Sequence, residues 1–404
     1  MNRFRMQRSP RSWSPKLSPT VVRLLKPFQR RKRVREENLV DIRVLGADVV
    51  RDALAAGCGV LITPNHATHA DSYCVYESAY QVGQPYYIMA MWQVFATNGF
   101  IARWVLRRHG VFSIDREGKD MAAFKLAVSI LQERKNPLVI FPEGEVYHCS
   151  ERVTPFREGA AMIAVAAAKR AKRPVVCVPT AIRFQYVDDP TPQLEQLMDE
   201  LEQRIFWRPQ HQLPLEQRIY KFAEAILALK ETEFLGRAGS GELPQRIDEL
   251  GSEILRGLEN QLNVKSCDGT IPERVKEVRR LTIEMIDETA ADDATERERL
   301  DQILDEVFLV TQLFSYPGDY VAERPSIERL AETLDKFEED VLEKFTASIR
   351  GSRRAVIRFD EAVLVEPSRD RRAAARKLTD TLESRIQSML DEQREAATTP
   401  TQSQ

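Results

Sequence analysis

Pro137-Leu138-Val139-Ile140-Phe141-Pro142, the alanine-rich run from Glu158 to Lys172, and then Val175-Val176-Cys177-Val178-Pro179 decide the fold. The two apolar runs are short, uninterrupted and closed by proline, the pattern of buried strands. The run between them strongly favours helix. Two stretches upstream share the strand pattern. Gly59-Val60-Leu61-Ile62-Thr63 is stopped by Pro64 and Asn65, and Val111-Phe112-Ser113-Ile114 comes after Gly110. Apolar strands alternating with helices predict an α/β domain, a largely parallel sheet flanked by helices, over residues 38–187.

Past that core the texture changes. In 188–349, Ile247, Leu250, Ile254, Leu258 and Leu262 recur at three- and four-residue spacing, as do Ile327, Leu330, Leu334, Phe337, Val341 and Phe345. These are core-facing stripes of an all-helical segment. Strand texture returns in Ala355-Val356-Ile357-Arg358-Phe359 and Ala362-Val363-Leu364-Val365, and a helix then runs through Leu378, Leu382, Ile386 and Leu390. Residues 394–404 are polar and expected to be a disordered tail.

Composition narrows the function classes. The 404 residues, 43% hydrophobic and 30% charged, suffice for roughly two to three domains and exclude a disordered or collagen-like chain. No uncharged apolar run reaches the roughly 18–20 residues that cross a bilayer. Five scattered cysteines without CxxC fit a reduced, cytosolic chain. The net charge of −2 is uneven. Residues 1–35 hold twelve Arg or Lys and no acid, which leaves −14 on the remainder. This basic stretch, taken as a flexible arm over 1–37, lacks the apolar core of a secretory signal. Its composition suits an anionic bilayer, nucleic acid, a solvated tail or an organellar transit peptide.

Chemistry concentrates after the first strand, in Asn65-His66-Ala67-Thr68-His69-Ala70-Asp71. On a regular helix His66 and Asp71 would stand about 140° apart, so they meet only across a loop. A carboxylate on one imidazole nitrogen leaves the other as a general base. His66, His69 and Asp71 also read HxxHxD, close to the metallo-β-lactamase pattern. The first spacing departs from it, however, and Ser72 stands where its last histidine belongs, so no metal is expected. From Tyr86 to Leu106 the chain is mainly apolar and free of acids, with Trp92, Phe95, Phe100 and Trp104. It reads equally as a buried helix pair or as an interfacial segment.

Three further blocks come in order: Gly110 to Arg116 (GVFSIDR), Phe141-Pro142-Glu143-Gly144, and Val178-Pro179-Thr180-Ala181-Ile182. With the NHxxxxD block before them, they resemble the phospholipid/glycerol acyltransferase (lysophospholipid acyltransferase) family over residues 40–187. Pro155-Phe156-Arg157-Glu158-Gly159 resembles the basic segment after FPEG in that family. Val356 to Ala362 resembles its closing strand. The resemblance implies a glycerol-phosphate acyltransferase-like fold in which 188–349 is an insertion and 350–393 the closing strand and helix.

It also implies a role for each block. His66, held by Asp71, would activate an acceptor hydroxyl against the thioester of acyl-CoA or acyl carrier protein, with no other cofactor and no metal. Gly110 and Arg116 would bind the acceptor's phosphate, with Glu143 and Gly144 shaping the same pocket. The expected acceptor is a lysophospholipid, foremost 1-acylglycerol 3-phosphate. Glycerol 3-phosphate, a lyso-aminolipid or a catalytically silent lipid-binding scaffold are the alternatives. Two departures stand out. The family commonly continues FPEG with Thr-Arg-Ser, where Glu145-Val146-Tyr147 stands here, which leaves the acceptor open. Its N-terminal apolar helix is missing, which points to peripheral attachment on the cytoplasmic face of an anionic membrane, without nucleic acid as partner.

Overall fold

A computed structural model describes residues 12–116, 120–170, 173–264, 269–290, 293–344 and 346–398. The chain divides into two compact units, one of Pro10–Asp189 with Ile349–Gln404, the other built on Pro190–Ser348.

The first unit is organised by a sheet of β1 (Leu39–Leu45), β2 (Gly59–Pro64), β3 (Tyr87–Met91), β4 (Val111–Ile114), β5 (Leu138–Val139), β6 (Val175–Tyr186), β7 (Arg353–Phe359) and β8 (Val363–Leu364). The strand order is β1-β7-β6-β2-β5-β3-β4, with β8 also on β6. Every neighbouring pair from β6 to β4 is parallel, as is β1 with β7, while β7 and β8 run antiparallel to β6. It is a mixed sheet of mostly parallel strands flanked by helices.

Both faces of β2, β5 and most of β6 are buried, and these strands are mostly apolar at both parities for that reason. Val60, Ile62, Val176 and Val178 pack with Val50 of helix Ala47–Ala55 and with Cys74, Val75 and Ala79 of helix Asp71–Val82. Leu61, Val175 and Cys177 face the other way. They pack with helices Met121–Glu133 and Gly159–Arg170 and with Leu378, Leu382 and Ile386 of helix Arg371–Thr398.

Three expectations change. Residues 12–37 are docked rather than flexible; residues 1–11 of the expected arm lie outside the described residues. The Ser113 N–H donates to the Trp13 carbonyl (3.0 Å) and the Trp13 N–H to the Ser113 hydroxyl (2.8 Å), so this segment covers the outer edge of β4. Helix Pro19–Glu37 comes next, capped by Ser18 and by Asn38 in the left-handed region. Arg30 pairs with the buried Glu77, which Arg33 approaches at 3.5 Å. Second, Tyr86–Leu106 opens with a strand, β3, before helices Trp92–Ala96 and Phe100–Arg108. Third, the last helix runs to Thr398 through the start of the expected tail; 399–404 lie outside the described residues.

Among the described residues, Pro190–Ser348 contains helices and no strand. Leu250, Ile254 and Leu258 pack with Val278, Leu300 and Val307, and Phe337 meets Phe222 with ring centroids 5.2 Å apart. Phe345 of the second stripe lies outside the described residues. Arg218–Glu202 (2.7 Å), Arg246–Glu231 (2.7 Å) and Arg274–Glu259 (2.6 Å) tie neighbouring helices by ion pairs whose carboxylates are buried. Among the described residues no helix is long and apolar enough to cross a membrane.

Candidate active site

The site forms where parallel strands present their carboxyl ends, the usual place for ligands on such sheets. β2 ends at Pro64, and the side chain of the next residue, Asn65, fastens the chain to β6. Its Nδ2 donates to the Ile182 carbonyl (3.0 Å) and its Oδ1 accepts the Ile182 N–H (2.7 Å). Residues 65–70 are then irregular, and helix Asp71–Val82 begins. Asp71 sits in its first turn, where the helix dipole favours a carboxylate. Asp71 Oδ2 accepts the Thr68 N–H at 3.1 Å and lies 2.8 Å from His66 Nδ1. The irregular loop thus joins two residues that a helix would separate. The Asp71 side chain is fully buried, whereas that of His66 is 23% exposed, its ring stacked on Phe141 with centroids 4.2 Å apart.

Glu143 grips the same histidine from the loop after β5. It is buried, and its two oxygens accept the His66 N–H (2.7 Å) and the Thr154 N–H (3.2 Å). Burial pushes its pKa up to about 8, against the opposing pull of those hydrogen bonds. The Tyr147 N–H reaches the His66 carbonyl at 3.4 Å. Glu143 is therefore a positioning residue for the His66 backbone. The loop itself is held from behind. Glu383 and Gln387 of the last helix accept the Phe156 and Val153 N–H groups (2.7 and 3.0 Å), and Glu151 pairs with Arg183 of β6 at 2.5 Å.

Gly144 has φ +82°, and a Cβ there would come within 3.0 Å of Arg157 Nε. Glycine both permits the turn and lets Arg157 lie across it. Arg116, just after β4, places Nη2 3.1 Å from Glu145 Oε1; Arg157 Nη2 lies 3.8 Å from that same oxygen. Gly110 does not join this group. It precedes β4, at the end opposite Arg116, with φ +82° and room for a Cβ only 2.4 Å from the Tyr86 carbonyl oxygen. Its glycine is a backbone requirement. Of the HxxHxD set, His66 and Asp71 bond each other, while His69 is exposed, edge-on to His148 at 6.2 Å.

Asn65, Phe141, Glu145 and Arg157 join the site without having stood out in the sequence as site residues. A signal for Arg157 existed in the basic segment after FPEG. Glu145 was visible only as a departure from the family pattern.

A partly exposed imidazole, fixed at Nδ1 by a buried carboxylate, is suited to taking a proton from a hydroxyl. Such a site suits an enzyme of acid–base chemistry. Residues 41–183 match the family model described as Acyltransferase, from β1 through the His66, Arg116 and Glu143 blocks into β6. That segment belongs to the acyltransferase family, and the protein is an acyltransferase. No curated protein matches the chain.

Proposed function

We propose that the protein transfers a fatty acyl group from an acyl-CoA or acyl carrier protein thioester to a lysophospholipid hydroxyl, with 1-acylglycerol 3-phosphate as the favoured acceptor. The observation that carries this reading is the His66–Asp71 hydrogen bond, 2.8 Å, inside the family-matched segment. With Asp71 accepting at Nδ1, neutral His66 keeps its lone pair on Nε2. Nε2 takes the hydroxyl proton as the acceptor oxygen attacks the thioester carbonyl. The tetrahedral adduct collapses, an ester forms, the carbon–sulfur bond breaks, and the thiolate recovers the proton. General-base action accounts for about 10²–10⁴-fold, the rest coming from positioning and charge stabilisation. This chemistry balances with the thioester as sole co-substrate. Arg116 and Arg157 supply the positive wall against which an acceptor phosphate would seat.

We further propose that the enzyme works peripherally on an anionic cytoplasmic membrane face. Helix Phe100–Arg108 exposes Phe100 (82%) and Ile101 (76%), with Trp104 beside them and Arg103, Arg107 and Arg108 on the same helix. The segment leading into helix Pro19–Glu37 hydrogen-bonds to this helix's end, Lys16 N–H to the Arg107 carbonyl and Ser18 N–H to that of Arg108. That second helix exposes Leu24 and Phe28 among its basic residues. Exposed apolar side chains interspersed with Arg and Lys suit a bilayer interface bearing negative lipids.

Incubating purified protein with acyl-CoA or acyl carrier protein donors and a panel of lyso-acceptors, with mass spectrometry of the lipids, tests the reaction. A diacyl product bearing the phosphate headgroup supports it. Acylation of only non-phosphorylated alcohols, or of no lipid, removes it.

A further inference from the structure

One carboxylate oxygen, Glu145 Oε1, faces two guanidinium groups, Arg116 Nη2 at 3.1 Å and Arg157 Nη2 at 3.8 Å. The three side chains are partly exposed, at 19%, 16% and 37%. Two guanidinium groups on one oxygen is the arrangement that grips a phosphate.

The backbone at both arginines is set without Glu145. The Arg157 N–H donates to the Pro142 carbonyl at 2.9 Å, and its side chain lies against Gly144, where a Cβ would stand only 3.0 Å from its Nε. Arg116 leaves β4 directly, so the sheet sets its place. The carboxylate is the replaceable member. A partly exposed carboxylate–guanidinium pair is weak, while a doubly charged phosphate offers several acceptor oxygens to the same donors.

We infer that Glu145 is a specificity-determining residue, an internal anion in the Arg116–Arg157 site that a phosphate-bearing acceptor must displace. This deepens the proposed function and rests on its placement of the acceptor phosphate beside Arg116. The carboxylate lowers the advantage of phosphate acceptors over uncharged ones and makes acceptor binding compete with an intramolecular pair.

The test is Glu145→Gln, which keeps size and removes charge. KM is measured for 1-acylglycerol 3-phosphate and for the monoacylglycerol of the same chain. The KM ratio should move about two- to fivefold in favour of the phosphate acceptor, the effect of a modest ion pair. An unchanged ratio, or a shift the other way, overturns the inference and makes Glu145 a support for the arginines. A second measurement is independent of turnover. Inorganic phosphate, against chloride at equal ionic strength, should raise the Tm of Glu145→Gln more than that of the wild type. Equal shifts overturn the inference. If the wild type acylates neither acceptor, the acceptor assignment fails while the phosphate titration still decides the role of Glu145.

Discussion

Asp71 Oδ2 serves two partners at once, His66 Nδ1 at 2.8 Å and the Thr68 N–H at 3.1 Å, so one buried oxygen fixes both the imidazole and the loop that carries it. The two functions separate by mutation. His66→Ala removes the base but little packing, since its ring is partly exposed. Transfer should fall at least about a hundredfold with little change in Tm. Asp71→Asn should cost activity to a similar or lesser degree, because an amide can present its N–H to Nδ1 and impose the wrong tautomer. It should also lower stability by about 1–3 kcal/mol, as a buried hydrogen-bonding group is left mispaired. His69→Ala, at an exposed position, should be mild. Full activity in His66→Ala would sink the general-base role.

Glu143 makes stability depend on pH. In the unfolded chain its carboxyl ionises near 4.5, whereas burial holds the folded-state value up to about 8. Its contribution is fully present below about pH 4.5, declines as pH rises, and is gone above about 8, because only the unfolded state releases the proton across that range. Glu143→Gln cannot ionise. The Tm difference between wild type and variant, tracked from pH 5 to 9, should therefore shift in the variant's favour as pH rises. A difference that stays constant across this range would show that Glu143 is ionised in the folded protein.

Much of this architecture is written in local pattern. β2, β4, β5 and β6 are legible because burial on both faces leaves uninterrupted apolar runs. The helices of 190–348 are legible because Leu250, Ile254 and Leu258 repeat on one side. The need for a loop between His66 and Asp71 comes from spacing alone. The hidden parts are held by polar or long-range contacts. β1 buries only Leu39 and Ile42, three residues apart across a register shift, with Val40, Asp41 and Arg43 exposed, so neither an apolar run nor an alternation marks it. Helix Pro19–Glu37 docks through Arg30 to Glu77 and Gln29 to His109, which leave no apolar period to read. The Arg116–Glu145 pair joins the ends of two strands, and no local rule predicts which charges meet there. Gly110 precedes β4, at the end opposite Arg116, and a motif position does not say which end of its strand a residue takes.

Membrane attachment is best tested by substitution, since deleting residues 12–37 would also strip the cover from the β4 edge. A Phe100→Ser, Ile101→Ser double variant removes two exposed apolar side chains and no core contact. Its binding to vesicles containing anionic lipid should drop at least about tenfold, given roughly 1.5–3 kcal/mol for fully burying each side chain. Wild-type binding should weaken as salt rises, since each near-surface Lys or Arg is worth about 1 kcal/mol and is screened within a Debye length. Sedimentation with vesicles that is the same for both proteins would refute the proposed face.

Truncation after residue 350 should leave an insoluble product. β7 lies between β1 and β6, so the cut removes an interior strand and bares two edges. It also removes Glu383 and Gln387, which hold the loop carrying Glu143. A soluble and active 1–350 fragment would show that the sheet closes without β7.

Arg116→Lys separates phosphate recognition from ion pairing. Arg116 contacts Glu145 through one nitrogen at 3.1 Å, a bond that an ammonium could replace if pairing were its whole role. A guanidinium can instead offer two parallel N–H groups to a phosphate, which lysine cannot. If the acceptor phosphate seats there, Arg116→Lys should reduce kcat/KM for 1-acylglycerol 3-phosphate by about ten- to a hundredfold. That corresponds to about 1.5–3 kcal/mol for hydrogen bonds to a charged group, and the loss on the matching monoacylglycerol should be much smaller. Combining the variant with Glu145→Gln sharpens the distinction. The uncharged neighbour removes a competitor of the phosphate for position 116, so the preference for the phosphate acceptor that Arg116→Lys narrows should be partly restored. Equal losses on both acceptors, together with a lowered Tm, would mean that Arg116 serves the ion pair alone and does not recognise phosphate.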